Sequence, residues 1–545
     1  MAAREIPTRF RRDMSIAEVH EYLSRPTRRH FLQGALATAG ALAVGPTLWT
    51  KVARAAGAPP AGAHLAFGAD PRREMSFVWS TPGPVDHPRL SFGTADGAGT
   101  VVAAETRMVP ANLLDPLNPV ATHYHQVRLE GLDPGVAHGY RLLHDGGDSG
   151  PRSFHTAPAE AAPFTFTAFG DQGVSGAAQA IVARVTAEAP AFNLVAGDLC
   201  YADNLGFTLP ADIVDFDPLV WDAWFAQAAR SAGSTPWMPS MGNHDVEPGF
   251  GWAGYDGHRS RLALPEGGFN EVVYSFRYGN VAVVSLDAND VSSEIPHSYT
   301  NGGQTAWLDR ELGRLRADPA IDFIVVYFHH CAYCTITSHG SDGGVRRTWV
   351  PLFDRHAVDL VINGHNHGYE RTTPIRGNVP TVEAPAGATV RPAEHGTTYV
   401  CAGGGGRSPN ELSPPGHGFI SNGPLAHENP LTGEPELAPW SVKAASNNSF
   451  LRVEVSPPDG AGLTTMAITA VDTAGRAFDS VVLARQRTPV ASAPTTTAPA
   501  GGVLGAGGGR EIPATGREAD LLVPALALAG AVAAGGVARA AAPDR

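Results

Sequence analysis

The chain has few cysteines and no excess of positive charge, and both shortages exclude classes of function. Only four cysteines occur in 545 residues, and Cys331 and Cys334 form a CxxC pair with no second pair to complete a four-thiolate zinc site. Acidic residues outnumber basic residues by 53 to 40, which gives a formal net charge of −13. This balance argues against a general nucleic-acid-binding protein. Because the chain is acidic overall, binding of an anionic substrate needs a local cation, such as a metal ion.

The N-terminal region lacks a long, strongly apolar segment. The block TRRHFL, which begins at Thr27, precedes a weakly apolar Ala/Gly-rich run over 34–48 that is too short for a confident membrane span. A small-x-small cleavage signal follows at 53–55. The twin arginine resembles a Tat export signal, so we predict a signal peptide over 1–56 and export of the folded chain by the Tat translocase. The alternative is an ordinary N-terminal helix.

The C-terminal region has little apolar content until its last segment. A Pro/Thr/Ala/Gly-rich composition predicts a disordered linker over 486–511. The pentapeptide IPATG, an apolar stretch and a basic end then follow one another within 512–545. This order resembles a sortase sorting signal, and a plain membrane anchor is the alternative. We therefore expect the exported protein to be extracellular and attached to the cell wall or to the membrane.

Short alternating strands separated by turns predict a small antiparallel sandwich over 61–157. Trp79 and the turn GLDPG before Tyr140 resemble a fibronectin type III module. No set of acids, histidines and serines in this segment has a catalytic pattern. We interpret His123 and His125 as residues of a strand surface or of a contact between domains.

Strands and helices alternate from about residue 163 to 485, which indicates an α/β domain of two sheets flanked by helices. The apolar run that ends at Ile362 predicts a buried strand closed by a tight turn at Asn363 and Gly364. The other predicted elements are strands at 164–169, 192–196 and 323–328, a hairpin turning at Gly279 and Asn280, and helices at 175–189, 218–231 and 304–316.

Residues that can bind metals follow the predicted strands of this domain one after another. In open α/β sheets, binding sites collect at the carboxyl ends of strands. An ordered set of five such endings is hard to explain by turns alone. The residues are Asp171 in GDQG, Asp198 and Tyr201 in GDLCY, Asn243 and His244 in GNHD, His329 in VYFH, and His365 and His367 in GHNH.

The mixture of ligand types indicates two metal ions. Carboxylates, an amide oxygen and imidazoles suit first-row metals, and the phenolate of Tyr201 favours a hard ion such as ferric iron. A shared carboxylate, for which we select Asp198, allows two cations to lie about 3.5 to 4 Å apart and to bind one phosphoryl group. Coordination also lowers the pKa of water from about 15.7 towards 7, which supplies a hydroxide nucleophile.

The order GDxG, GDxxY, GNHD, VxxH and GHxH resembles the purple acid phosphatases of the metallophosphoesterase superfamily, and the preceding sandwich resembles their N-terminal domain. The resemblance implies a four-layer α-β-β-α sandwich over 163–485, preceded by an all-β fibronectin type III-like sandwich over 61–157. It also implies a binuclear centre. Asp171, Asp198, Tyr201 and His367 would hold Fe(III), and Asp198, Asn243, His329 and His365 would hold Zn, Mn or Fe(II).

The same resemblance implies roles for residues that contact the substrate. His244 would contact the phosphate, with Asp245 orienting it. Ser338 and His339 occupy the places where the family often has a proton-donating histidine or histidine pair, so His339 is the candidate general acid. An exposed loop histidine is the alternative for His339. His330 has no assigned role.

We therefore expect an exported acid phosphatase that hydrolyses small phosphomonoesters by attack of a metal-bound hydroxide. A phosphodiesterase or nucleotidase of the same superfamily is one alternative. A wall-attached binding protein with an inactive hydrolase domain is another, although no ligand position is substituted. Because Cys200 and Cys331 each lie within two residues of a proposed ligand, we also expect a disulfide between them.

Overall fold

A computed structural model describes residues 58–110, 121–202, 219–247, 254–269, 271–294, 298–422 and 433–487. The predicted signal peptide over 1–56 and the predicted C-terminal segment over 512–545 lie outside these residues, as does the predicted linker from 488 onward. Within the described ranges, no helix is both long and apolar enough to cross a membrane.

The N-terminal segment forms two antiparallel sheets. Their strand orders are β1-β2-β6-β5 and β4-β3-β7-β8, with β9 also paired to β7. The rings of Phe77, Tyr140 and Phe154 pack edge to face in the core, beside the fully buried Trp79. The strands are β1 (Ala61–Phe67), β2 (Met75–Thr81), β3 (Arg89–Gly93), β4 (Gly99–Ala103), β5 (Glu105–Pro110), β6 (Ala121–Leu129), β7 (Ala137–His144), β8 (Gly147–Asp148) and β9 (Arg152–His155).

His125 lies in the interior of this sandwich, so its interpretation as a surface or interdomain residue is wrong. Its side chain is fully buried, and its two ring nitrogens bond to the hydroxyls of Thr81 at 2.8 Å and Thr106 at 2.9 Å. These threonines belong to β2 and β5, the two strands beside β6. Because both nitrogens have partners, burying the imidazole costs little.

The larger segment contains two seven-stranded sheets and flanking helices. The first sheet has the order β12-β11-β10-β26-β27-β28-β21, and the second has the order β13-β14-β15-β17-β22-β18-β25. Small sheets β16-β23-β24 and β19-β20 lie outside them. The first six strands of this segment are β10 (Phe164–Phe169), β11 (Asn193–Ala196), β12 (Trp237–Ser240), β13 (Tyr274–Tyr278), β14 (Val281–Ser285) and β15 (Phe323–Tyr327).

The remaining elements complete these sheets and the outer layers. The strands are β16 (Ser341–Asp342), β17 (Leu360–Asn363), β18 (Tyr369–Thr372), β19 (Ile375–Arg376), β20 (Val379–Pro380), β21 (Ala388–Val390), β22 (Thr398–Ala402), β23 (His417–Ser421), β24 (Glu434–Leu437), β25 (Ser441–Ala445), β26 (Ser449–Ser456), β27 (Leu463–Asp472) and β28 (Ala477–Gln486). The helices are α1 (Gly176–Ala187), α2 (Leu219–Ala232), α3 (Asp256–Arg261), α4 (Gly303–Ala317), α5 (Gly343–Thr348), α6 (Val350–Arg355) and α7 (Pro392–His395), with 3-10 turns at Asn243–Asp245 and Ala288–Asp290.

Aromatic side chains join the two large sheets face to face. The ring of Phe192, beside β11, packs against Phe276 of β13 with centroids 5.5 Å apart. The hydroxyls of Tyr274 and Tyr327 donate to backbone carbonyls of β12 at 2.7 and 3.0 Å. Helix α1 packs against β26 on the outer side of the first sheet. The domain is therefore the layered α-β-β-α sandwich that the sequence predicts.

Parallel pairing brings the functional strand ends together. Strands β10, β11 and β12 run parallel in the first sheet, and β14, β15, β17 and β22 run parallel in the second. The predicted strands at 164–169, 192–196 and 323–328 are confirmed to within a residue, as is the hairpin that turns at Gly279 and Asn280. The carboxyl ends of each parallel set consequently lie at one edge of its sheet.

A buried ion pair lies where the sandwich meets the larger domain. Arg261 of α3 pairs with Glu247, and both side chains are 1% exposed. The indole of Trp221 also donates to this carboxylate at 2.8 Å, and the guanidinium lies 4.8 Å from the same ring. On the sandwich side, Gln126 of β6 donates to the backbone carbonyls of Arg259 and Ser260 at 3.0 and 2.9 Å. Strand β6 therefore holds the backbone of the helix that carries Arg261.

Replacing Arg261 should destabilise the protein strongly, because it leaves a buried carboxylate without its cation. We expect Arg261→Met to lower the free energy of unfolding by about 3 to 5 kcal/mol, measured by urea denaturation. Arg314→Met is the control, because Arg314 is 63% exposed and pairs with Glu311 on the surface of α4, where a pair contributes at most about 1 kcal/mol. Equal losses in the two variants would contradict the importance of the buried pair.

Candidate metal centre

The predicted metal ligands lie in the short turns that follow the parallel strands. Asp171 and Asp198 each lie two residues beyond β10 and β11, and Asn243 opens the 3-10 turn after β12. His329 and His365 each lie two residues beyond β15 and β17. The first sheet thus supplies the oxygen ligands, and the second sheet supplies the imidazoles.

These side chains form two groups of atoms in close contact. In one group, the hydroxyl of Tyr201 lies 3.1 Å from Asp171 Oδ1 and 3.2 Å from His367 Nε2. In the other, His329 Nε2 lies 3.2 Å from Asp198 Oδ2 and 3.1 Å from His365 Nδ1. Ligand atoms of Asp171, Asp198 and His329 also lie within 4.8 Å of one another, which connects the groups. Apart from Asn243, each group contains residues that the resemblance to purple acid phosphatases assigns to one of two cations.

Asn243 provides a test of whether these residues fit a metal ion. Its side chain is buried, and its Oδ1 has no hydrogen-bond partner among the described residues. Leaving such an oxygen without a partner costs about 1 to 3 kcal/mol. A cation bound by this oxygen removes that cost, and an amide oxygen beside carboxylates and imidazoles suits a divalent first-row metal. The donor set therefore fits the binuclear centre that the family implies.

The backbone at these positions adopts conformations that most residues avoid. Asp171, Asp198, Tyr201 and His365 have φ of 58°, 54°, 57° and 69°, in the left-handed region. Each such residue costs of order 1 to 3 kcal/mol and persists only where surrounding structure holds it. Four predicted ligands in this region indicate that the turns are shaped for the placement of side chains rather than for local backbone stability.

Two glycines of the motifs are required by the close approach of the turns. A Cβ atom on Gly364 would lie 2.5 Å from Asp171 Oδ2, and one on Gly242 would lie 2.0 Å from Asp198 Oδ1. Either distance is a clash with a predicted ligand. The glycine before each ligand therefore serves packing between neighbouring strand ends.

The site concentrates negative charge away from water. Burial is the main cause that raises the pKa of Asp171 well above its usual range. Burial also lowers the pKa of His329, but the carboxylates of Asp198 and Asp171 outweigh burial and raise it to about 10. Burial and the same two carboxylates raise the pKa of the Tyr201 phenol well above its usual value. A bound cation acts on each group in the opposite direction, because it stabilises the deprotonated ligand.

His244 and Asp245 have different surroundings from each other. The ring of His244 is half-buried and lies 4.4 Å from the ring of Tyr201, beside the proposed metal ligands. Asp245 is fully buried, and its carboxylate accepts the backbone N–H groups of Asp198, Leu199 and Gly242 at 2.7, 2.9 and 2.8 Å. Asp245 thus joins the turn of Asp198 to its own turn through backbone hydrogen bonds.

His339 lies at the edge of the site with its side chain 18% exposed. Its ring centroid is 3.8 Å from that of His365, so the predicted proton donor is brought next to a predicted ligand. His330 directly follows the predicted ligand His329 in the sequence, and its ring centroid lies 4.3 Å from that of His365. It is fully buried, and neither of its ring nitrogens has a hydrogen-bond partner in the described ranges. Burial lowers the pKa of His330 well below its usual range, which keeps it neutral.

Two residues of the site have no counterpart in the sequence prediction. Arg407 is 3% exposed, and its guanidinium lies 4.0 Å from the centre of the Tyr201 ring. Glu294 is 1% exposed and contacts both His339 and His365. Arg407 follows the run of four glycines after β22, which is a signal for close backbone approach. Glu294 lies in an irregular loop where no local pattern indicates a functional residue.

The predicted disulfide between Cys200 and Cys331 is wrong, because all four thiols are free and buried. Cys331 instead clusters with Cys334 and Cys401, with their sulfur atoms within 4.8 Å of one another. The thiols of Cys331 and Cys401 donate to the carbonyl oxygen of Gly364 at 3.1 and 3.5 Å. These thiols support the backbone of the GHNH turn, and Cys200 belongs to the main apolar core.

Comparisons with known proteins agree with this geometry. Residues 164–369 match the family model of calcineurin-like phosphoesterases, and residues 60–156 match that of the purple acid phosphatase N-terminal domain. An uncharacterized protein of Mycobacterium tuberculosis is 34% identical over 468 residues, which cover 78% of this chain and 86% of that protein.

Relatives with assigned names and a solved structure give the same assignment. Purple acid phosphatase 23 of Arabidopsis thaliana is 29% identical over 285 residues, covering 48% of this chain and 60% of the relative. The fold is similar to that of purple acid phosphatase PPD1 from yellow lupin seeds, with a TM-score of 0.62, 20% identity and coverage of 78% of this chain and 75% of that one. The chain therefore belongs to the purple acid phosphatase-like family of metallophosphoesterases, which are phosphoester hydrolases.

Proposed function

We propose that the protein is an exported acid phosphatase that hydrolyses phosphomonoesters at a binuclear metal centre. The observation that supports this most directly is the convergence of the predicted ligands into two contacting groups linked through Asp171, Asp198 and His329. The unpaired, buried Oδ1 of Asn243 adds a neutral oxygen ligand to this set. Such a site can neutralise the charge of a phosphoryl group in a chain whose net charge is −13.

When bound, two metal ions supply charge neutralisation for the phosphoryl oxygens and lower the pKa of water enough to provide a hydroxide nucleophile. The side chains of the protein perform the remaining tasks. In this proposal Asp198 would contribute to both cation sites, and Asp245 keeps the turns of Asp198 and Gly242 at a fixed separation through backbone hydrogen bonds. In this proposal the half-buried ring of His244 contacts the phosphate, and His339 protonates the departing alkoxide.

The proposed metals are Fe(III) with Zn, Mn or Fe(II) as the partner. Tyr201 supports ferric iron in the group that also contains Asp171 and His367, because a phenolate is a hard, anionic ligand. The second group contains two imidazoles and an amide oxygen, which suit a divalent ion. A small phosphoester is the proposed substrate, and no nucleic acid is expected as a partner.

Export by the Tat translocase is part of the same proposal. The motif TRRHFL supports it, and folding before export would allow the site to acquire its metals in the cytoplasm. The IPATG segment supports attachment to the cell wall by a sortase, or to the membrane, in the extracellular location.

The function is tested by comparing a phosphomonoester with a phosphodiester. We expect the metal-loaded protein to hydrolyse 4-nitrophenyl phosphate with a larger kcat/KM than bis(4-nitrophenyl) phosphate. Asn243→Ala should lower kcat/KM for the monoester by about 10²-fold or more, because it weakens one cation site and the charge stabilisation that depends on it. Reversed selectivity would instead favour the phosphodiesterase alternative.

Asn280→Ala is the matched control for the asparagine substitution. Asn280 is also fully buried, but it precedes β14 and bonds to Asp322 and Thr464 at the opposite end of the strand from the site. We expect Asn280→Ala to reduce stability while leaving metal content and kcat/KM near their original values. Stoichiometric metal in the original protein without any phosphoester hydrolysis would support the inactive binding-protein alternative.

The proposed ferric site is tested by visible absorption. A phenolate bound to Fe(III) absorbs visible light, so we expect a purple band in the iron-loaded protein that Tyr201→Phe abolishes while iron stays bound. Metal analysis on the same samples separates loss of the band from loss of iron. A colourless protein that holds two zinc or manganese ions would contradict the iron assignment.

Export is tested by replacing the twin arginine. We expect Arg28→Lys with Arg29→Lys to retain the folded protein in the cytoplasm, because Tat signals are read through this pair. Cell fractionation followed by detection of the chain measures the change. Unaltered secretion of the double variant would contradict Tat export, and the single variant Arg25→Lys serves as the control for a nearby arginine.

A further inference from the structure

Glu294 connects a predicted metal ligand with the predicted proton donor. Its carboxylate accepts His365 Nε2–H at one oxygen, at 2.9 Å, and His339 Nδ1–H at the other, at 2.6 Å. The Glu294 side chain is 1% exposed, so its carboxylate is buried. Bonds of this length between a carboxylate and imidazole N–H groups are charge-assisted and directional. The two rings therefore share one fixed acceptor.

The bond to His365 determines which nitrogen of that ring is available to a metal. With Nε2–H donating to Glu294, Nδ1 carries the lone pair, and Nδ1 lies 3.1 Å from His329 Nε2 within the second ligand group. Histidine ligands usually donate their other N–H to a carboxylate or carbonyl, and loss of that partner typically costs 10- to 100-fold in metal affinity. Glu294 is the carboxylate that accepts this N–H from His365.

The bond to His339 determines which nitrogen of that ring donates to a substrate. With Nδ1–H bonded to Glu294, the imidazolium form of His339 carries its second proton on Nε2, and that is the proton it donates to a leaving group. The loop that carries His339 is also tied to the GHNH turn, since Asn366 exchanges hydrogen bonds with the backbone of Gly340 at 3.1 and 3.0 Å. Ser338, immediately before His339, has φ of 93°, which shows that the loop is held in a costly conformation.

The backbone of Glu294 is itself anchored. Its N–H donates to the hydroxyl of Ser292 at 3.1 Å and to Asp342 at 3.3 Å. Asp342 caps helix α5 through the N–H of Val345 at 2.8 Å. The carboxylate thus extends from a backbone fixed by an element outside the site, which is the arrangement that orients other side chains reproducibly.

We propose that Glu294 is a positioning residue for two histidines. It fixes His365 as a ligand through Nδ1, and it fixes His339 as the proton donor through Nε2. The proposal rests on the proposed phosphatase function and adds to it a residue that couples the metal site to proton donation. Loss of Glu294 should therefore have two separable effects: weaker metal binding, and a rate defect that depends on the leaving group.

The experiment uses Glu294→Gln, which keeps the shape of the side chain but cannot accept both N–H groups. At saturating metal, we expect kcat for an alkyl phosphate to fall about 10- to 100-fold more than kcat for 4-nitrophenyl phosphate, because nitrophenolate leaves without help from an acid. His339→Asn should show the same bias. The double variant should show no greater bias than His339→Asn alone, since both changes remove one function.

Metal affinity provides a readout that does not depend on activity. We expect competition with a chelator to show 10- to 100-fold weaker binding at the second metal site in Glu294→Gln. Glu311→Gln is the matched control, because Glu311 lies on α4 and bonds to Ser275 and Arg314 away from the site. Thermal unfolding of both variants verifies that they are folded.

The outcomes separate this proposal from the proposed function. Equal rate losses across leaving groups at saturating metal would overturn the positioning role towards His339, and metal affinity equal to that of Glu311→Gln would overturn the role towards His365. If the original protein hydrolysed no phosphomonoester, the proposed function would fail. The chelator competition would still decide whether Glu294 positions His365, with unchanged affinity refuting it.

Discussion

The structure depends on the burial of two carboxylates, Asp171 and Asp198, at neighbouring strand ends. An uncompensated carboxylate in the interior is among the most costly groups a protein can contain. Here the cost is met by surrounding imidazoles, by backbone N–H groups and by the capacity of the site for cations. The turns that carry both residues are left-handed, and neighbouring glycines leave room for the two carboxylates.

A series of buried polar contacts extends outward from these two carboxylates. Asp245 accepts three backbone N–H groups and so holds the turns of Asp198 and Gly242 together. Its own turn leads into Glu247, which pairs with Arg261 on the helix held by the N-terminal sandwich. A sandwich without catalytic residues is thus connected to the metal site through a short series of buried polar contacts. The N-terminal domain is therefore linked, through these contacts, to the turns that contain the candidate metal centre.

The sequence was sufficient to predict the strands that lead to the predicted ligands. An apolar run that stops at Gly-Asp or Gly-His indicates a buried strand, its end at the edge of the sheet, and a metal-binding side chain just beyond that end. The resemblance to purple acid phosphatases assigned Tyr201 and His367 to one group and His329 and His365 to another, and the distances bring the members of each pair together. The failures share a physical cause. His125, the pairing of Cys331 and the contacts of Glu294 all depend on which side chains meet across elements distant in sequence. Neither periodicity nor motif spacing contains that information.

The division of ligands between the two sheets has a consequence for folding. Carboxylates, phenol and amide come from the turns of the first sheet, and the three imidazoles come from the second. Any cation held by both kinds of ligand cross-links the two halves of the core, much as a disulfide would. A metal present at 100 times its dissociation constant adds about 2.7 kcal/mol to the stability of the folded state. The proposed metal centre would therefore also hold the two sheets together, in a protein whose four thiols form no covalent bridge.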